Sequence, residues 1–169
     1  LEALLTGIPG LLIAAPATPY DAKGMLKAAI RSDNPVLLFE NKLLYTTTGP
    51  VPQEDYVVPF GKADVKRPGR DVTLVTVGAA LGKALEAAER LDGLGIDAEI
   101  VDLRSLVPLD LDTVLGSVLK TGHLVTVEDA SVGHGFGSEV VARVTEVAFD
   151  ALRAAPRRVG AADVPLPYN

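Results

Sequence analysis

At 169 residues the chain has room for one large domain or one and a half small ones, with ample material for a core. Nearly half of it is apolar, which argues against disorder; the net charge of −6, with Lys and Arg dispersed among the acids, argues against nucleic acid as a partner, because phosphate binding needs a concentrated basic surface. The absence of cysteine removes disulfides, thiolate metal sites and cysteine nucleophiles and fits a reducing cytoplasm, and no apolar run approaches the roughly 20 residues that span a bilayer.

The opening, Leu1-Glu2-Ala3-Leu4-Leu5, reads as mid-domain sequence. Leu11 to Ala15 is a short continuous apolar run after Pro9-Gly10, the pattern of a strand covered on both faces. Thr18-Pro19 then opens a helix, with Thr as N-cap and Pro at the first position. Ala22, Met25, Leu26, Ala29 and Ile30 recur at helical spacing, Asn34-Pro35 ends the helix, and Val36 to Phe39 form the next buried strand. Together these make one βαβ unit.

From Leu43 to Arg70 the pattern breaks. Thr46 to Pro52 is turn-rich and Lys66 to Arg70 reads as a short basic connector. The expected organisation is therefore a first unit at 1–50, a linker at 51–70 and a second unit at 71–169. In the second unit Val72 to Val77 reads as a strand and Ala80 to Leu94 as a helix closed by Gly95. Ala98 to Leu103 is the next strand; Pro108-Leu109-Asp110 opens a helix to Lys120, stopped by Gly122. His123 to Glu128 is a third strand, Gly137 to Leu152 a long amphipathic helix, and Arg157 begins a last strand. Alternating strands and helices predict an α/β fold with a mostly parallel sheet and right-handed crossovers.

Several groups invite chemical readings. Gly133-His134-Gly135-Phe136-Gly137 follows a strand and opens a helix, but its spacing is wrong for a dinucleotide loop and no acid ends the next strand to hold a ribose. The favoured account is close packing of the helix on the sheet or on a partner subunit, with Phe136 as an apolar anchor at an interface. His123 is expected at a surface or sheet edge. His123 and His134 lack carboxylates at ligand spacing and make a poor zinc site. Glu54-Asp55 and Glu128-Asp129 are adjacent pairs whose side chains should face opposite ways on a strand, so neither forms a shared acid site. Glu128 is the more interesting, because open α/β sheets place ligands at the C-terminal ends of their strands.

Several consecutive words carry a specific likeness: Pro16 to Gly24, Ile30 to Glu40, Gly61 to Val65, Val101 to Asp110, Lys120 to Val125 and Asp163 to Asn169. In this order they resemble the beta subunit of the thiamine-diphosphate-dependent 2-oxoacid dehydrogenases, over essentially the whole chain. The resemblance implies that residues 1–50 end a transketolase-like pyrimidine-binding domain. Residues 71–169 would then be a transketolase C-terminal-like three-layer α/β/α domain, in a segment truncated at both ends. It implies a heterotetramer of two alpha and two beta subunits that serves a dihydrolipoyl acyltransferase core. Thiamine diphosphate and magnesium would be held mainly by the alpha subunit. The ring-activating glutamate and a catalytic histidine of that family lie upstream of the segment matching Leu1, so no catalytic or cofactor-binding residue is assigned in this chain. Main-chain carbonyls of Ala29, Ile30, Ser32 and Asn34 match a potassium site, although Ser32 stands where relatives often carry Asp. Pyruvate is the expected substrate, with acetoin and branched-chain 2-oxoacids as alternatives. A non-catalytic assembly module is the rival from another class.

Overall fold

The structure, a computed structural model, describes residues 2–164. Two sheets share the chain. The first has the order β2-β1-β6: β1 (Leu12–Ala14) runs parallel to β2 (Val36–Leu38) and antiparallel to β6 (Ser105–Val107). Helix α1 (Pro19–Ile30) joins β1 to β2. The Thr18 hydroxyl accepts the Asp21 N–H at 3.1 Å and Pro19 occupies the first turn, as the sequence predicts. Of the five apolar positions expected to face a core, Met25 is fully buried while Leu26 and Ile30 are exposed. β2, expected to be buried, is only half-buried, since it is an edge of the three-stranded sheet.

The second sheet has the order β3-β5-β4-β7-β8. Its strands are β3 (Asp64–Arg67), β4 (Val72–Thr76), β5 (Ala98–Asp102), β7 (Leu124–Ser131) and β8 (Arg157–Ala161), all parallel except the antiparallel edge β3. Helix α2 (Ala80–Asp92) covers one face, and α3 (Leu111–Thr121) and α4 (Phe136–Ala148) cover the other. Alternation along the strands sorts the core. Leu74 and Ile100 pack with Leu81, Ala84 and Ala88 of α2, while Val75 and Val101 pack with Val114, Val118, Val140 and Val144 of α3 and α4. Asp110 caps α3 by accepting the Thr113 N–H at 3.2 Å, and Gly122 ends it in the left-handed region at φ 72. α4 stops at Ala148, short of the expected Leu152, and a 3-10 turn covers Phe149–Ala151.

The main differences from expectation lie between the halves. Residues 51–70 are more than a connector: Val58 is buried against Met25 and Ala14, and Asp64–Arg67 form β3. After β5 the backbone reverses at Arg104, whose φ is 59, and the chain makes β6 before α3 begins. β6 pairs with β1 at Ile13↔Val107 and Ala14↔Ser105, so the second half completes the sheet of the first. Ile13 accordingly belongs to the same buried cluster as Val75, Val101 and Leu103.

Candidate functional site

Strand order decides where a ligand can sit. From β4 the chain crosses by α2 to β5 on one side, then by α3 back past β4 to β7 on the other. Right-handed crossovers in opposite directions put α2 and α3 on opposite faces, which opens a crevice between the C-terminal ends of β4 and β7. A cleft of about 970 Å³ lies there. Val77 to Ala79 follow β4, Glu128 to Ala130 end β7, Ala15 follows β1 and Phe39 to Asn41 follow β2, so both halves build its walls.

Glu128 is the most unusual side chain on that wall. It is 5% exposed, and neither carboxyl oxygen completes a hydrogen bond within the structure. Burial pushes its carboxyl up to about 7, against the pull of the Gly137 and Phe136 backbone N–H groups and of Arg158. Asp129, next along, is exposed and pairs with Lys83 at 2.8 Å, so the two acids diverge as expected. The glycines of the 133–137 loop have a role that their sequence pattern does not reveal. A Cβ on Gly137 would stand 2.7 Å from Glu128 Oε1, and one on Gly135 would overlap the Glu128 carboxyl. Both glycines make room for a side chain of their own subunit, and Phe136 is half-buried against the main core. His134 is exposed on the cleft rim, while His123 Nδ1 lies 3.0 Å from the Asp71 carbonyl at a strand start.

A second polar cluster ties the halves together. Lys66 Nζ lies 2.7 Å from Asp21 Oδ2, 2.8 Å from Asp64 Oδ2 and 3.8 Å from Asp102 Oδ2. Arg104 adds contacts of 2.8 Å to both Asp21 and Asp64. Asp21 and Asp102 are fully buried. Burial lowers the Lys66 ammonium, but its hydrogen bonds to Asp21 and Asp64 outweigh that and hold it above its ordinary value. Burial raises Asp102 to about 7, with Lys66 as the main opposing influence. Sequence reasoning misses this cluster. Lys66 looks like part of a basic connector, and the available signal is a carboxylate, Asp102, directly after the apolar Ile100-Val101 of a central strand.

The expected potassium ligands lie elsewhere. Ala29 and Ile30 end α1, and Ser32 and Asn34 form the turn beyond it. The Ala29 carbonyl accepts the Ser32 N–H at 3.2 Å, and Ser32 Oγ accepts the Asn34 N–H at 3.1 Å. These four residues lie at and beyond the C-terminal end of α1, and none of them lines the cleft. Among the described residues no group of three or more His, Cys, Asp or Glu could hold a metal ion, and no helix is long and apolar enough to cross a membrane. The closing likeness at Asp163 to Asn169 falls partly on residues 165–169, outside the described residues.

The chain matches two known domain families in succession: the transketolase pyrimidine binding domain over residues 1–48 and the transketolase C-terminal domain over residues 61–169. Three curated relatives give the range of names. The chain is 48% identical over 169 residues to the beta subunit of acetoin:2,6-dichlorophenolindophenol oxidoreductase from Cupriavidus necator, covering all of this chain and 50% of that protein. It is 49% identical over 162 residues to the pyruvate dehydrogenase E1 component subunit beta of Rhizobium meliloti, covering 95% of this chain and 35% of that one. It is 46% identical over 170 residues to the 2-oxoisovalerate dehydrogenase subunit beta of Bacillus subtilis, covering 99% and 52%. Among solved structures, a split-gene transketolase described as an inactive beta4 tetramer superposes with a TM-score of 0.80 at 32% identity, over 96% of this chain and 52% of that one. The chain thus spans about half the length, or less, of these relatives.

Proposed function

Because this chain belongs to the transketolase family, joining its pyrimidine-binding and C-terminal domains, we propose that it is part of the beta subunit of a thiamine-diphosphate-dependent 2-oxoacid dehydrogenase. Pyruvate is the proposed substrate and the cytoplasm the proposed location. The observation that carries this reading is the continuous likeness, over 95% or more of the chain, to beta subunits named for pyruvate, acetoin and 2-oxoisovalerate.

Thiamine diphosphate would supply the carbanion chemistry that releases carbon dioxide from the 2-oxoacid. The described residues do not suit its diphosphate and magnesium. The cleft carries Glu40, Glu128, Asp129 and Glu139, and its one arginine, Arg143, is paired with Glu139 at 2.6 Å. A diphosphate needs cations or free helix amides in place of these acids. Its holder in this proposal is an alpha subunit in a heterotetramer, which also meets a second beta subunit and a dihydrolipoyl acyltransferase core. This chain's own work is scaffolding: β1, β2, β4 and β7 set their ends around one cleft, and the Asp21–Lys66–Arg104 cluster fixes α1 against β3 and β5.

Potassium suits the α1 terminus better. In this proposal the ligands are main-chain oxygens of Ala29 and Ile30, at the helix end where carbonyls lack intrahelical partners and the dipole is negative, and of Ser32 and Asn34 in the turn beyond it. Ala29 O already accepts the Ser32 N–H, and the Arg31 N–H is shared between it and Lys27 O, so an ion there would compete with those bonds. A bound ion stabilises the native state by mass action, so the melting temperature should rise with potassium chloride above an equal concentration of lithium chloride. Equal melting in the two salts would remove this site.

The substrate assignment is tested by co-expressing the complete beta subunit with its alpha subunit and comparing turnover of pyruvate, 2-oxoisovalerate and acetoin. The highest kcat/KM on pyruvate is expected. A preference for acetoin would favour the second reading, for which the 48% identity to the Cupriavidus necator subunit already speaks.

A further inference from the structure

The Glu128 carboxyl sits in a space built around it. Its oxygens are shut from solvent, Gly135 and Gly137 press on them, and a Cβ on Gly160 of β8 would stand 3.1 Å from its Cγ. α4 starts beside it with Gly135 as its N-cap and no side chain capping it, and the Phe136 and Gly137 N–H groups of its first turn act on the Glu128 carboxyl. Arg158 of β8 donates to the Val132 carbonyl at 2.8 Å and to Ser138 Oγ, clasping both ends of the loop that covers the acid. That loop is also cleft wall, through His134, Gly135 and Phe136.

We infer that the loop at 133–137 is a proton-linked latch on the wall of the cleft, shut over a neutral Glu128 and loosened when that carboxyl ionises. A carboxylate closed off from water without a completed hydrogen bond is costly, and lifting the loop hydrates it. The groups facing Glu128 do not cancel that cost. Arg158 from β8 and the α4 amides favour the anion, Glu2 from the first turn opposes it, and burial prevails, raising the carboxyl to about 7. The other charges on the cleft wall and beside the loop have partners of their own: Asp129 pairs with Lys83, Glu139 with Arg143, Glu40 accepts the Tyr45 hydroxyl, and Asp163, next to Gly133, accepts from Ser131 Oγ. The exposed His134 rides on the loop itself.

The sign follows from proton binding. The closed loop keeps a proton that an open loop, with its carboxyl hydrated, gives up near the ordinary value of 4.5. Rising pH therefore favours opening, about tenfold per unit between pH 5 and 6.5, with a plateau above about 7. Amide exchange at residues 133–138 of the chain, corrected for intrinsic base catalysis and referenced to Val101 in the central sheet, reads this directly. The expected result is the rising limb and plateau in the wild type and a flat profile in Glu128→Gln. A flat wild-type profile, or an unchanged slope in the variant, overturns the latch. Should the variant fail to fold, carbon-13 titration of the wild-type carboxyl decides: a midpoint near 7 supports the latch, and one in the ordinary carboxylate range overturns it.

Discussion

Gly69 shows how tightly single residues are specified. Its amide hydrogen bonds to Glu99 Oε2 at 3.2 Å, and a Cβ there would overlap the backbone of Ala98 and Glu99. Backbone cannot rotate away as a side chain can, so Gly69→Ala should cost about 3 kcal/mol, at the upper end of overpacking penalties. Gly82 is the control: inside α2, with nothing within 4 Å of an added methyl, Gly82→Ala should instead gain about 0.5–1 kcal/mol from helix propensity. Urea midpoints of the two variants should move in opposite directions. Lys66→Met should cost about 3 kcal/mol, because it leaves Arg104 as the one cation beside buried Asp21 and Asp102 among the described ion pairs. Asp102 also sets a pH dependence. Its native carboxyl, raised from 3.8 to about 7, keeps a proton that the unfolded chain releases, so stability falls as pH rises between those values and levels off above them. Glu128 adds a slope of the same sign. Asp102→Asn should flatten the curve measured between pH 5 and 8; an unchanged slope would show that Asp102 is ionised throughout.

Elements are legible wherever local chemistry decides them. Thr18-Pro19 and Asp110 cap their helices as read, Gly122 stops α3, and the apolar runs at 72–77 and 98–103 are central strands. Two short strands escape such a reading. β3 has one exposed valine, Val65, among three half-buried charged residues and looks like a connector, because the burial of Lys66 comes from acids distant in sequence. β6 follows β5 after one tight reversal at Arg104, too close for periodicity to separate the two. The carboxyl environment of Glu128 is only partly foreseeable: its place at a strand end is visible, but the glycines that close over it act in three dimensions. The hidden β3 has a measurable consequence. A piece beginning at residue 61 should unfold at clearly higher urea than one beginning at 71, which lacks the edge strand and leaves Asp102 without Lys66. Coincident midpoints would mean that β3 contributes no stability.

At the scale of the whole molecule, the two matched domains are joined by more than sequence. β6 completes the first sheet, Ile13 enters the core of the second half, and three acids and two bases bridge α1 to β3 and β5. The result is a scaffold that brings strand ends from both halves to one cleft, and the proposed activity divides the work between this scaffold and an alpha subunit that holds the cofactor. The most direct test of that division of labour is carbon dioxide release from carboxyl-labelled pyruvate with thiamine diphosphate, magnesium and potassium. The chain of residues 1–169 should release it no faster than the free cofactor, and the complete beta subunit paired with its alpha subunit should release it catalytically. Turnover by the 169-residue chain alone, or none by the assembled pair on pyruvate, acetoin or 2-oxoisovalerate, would contradict the account.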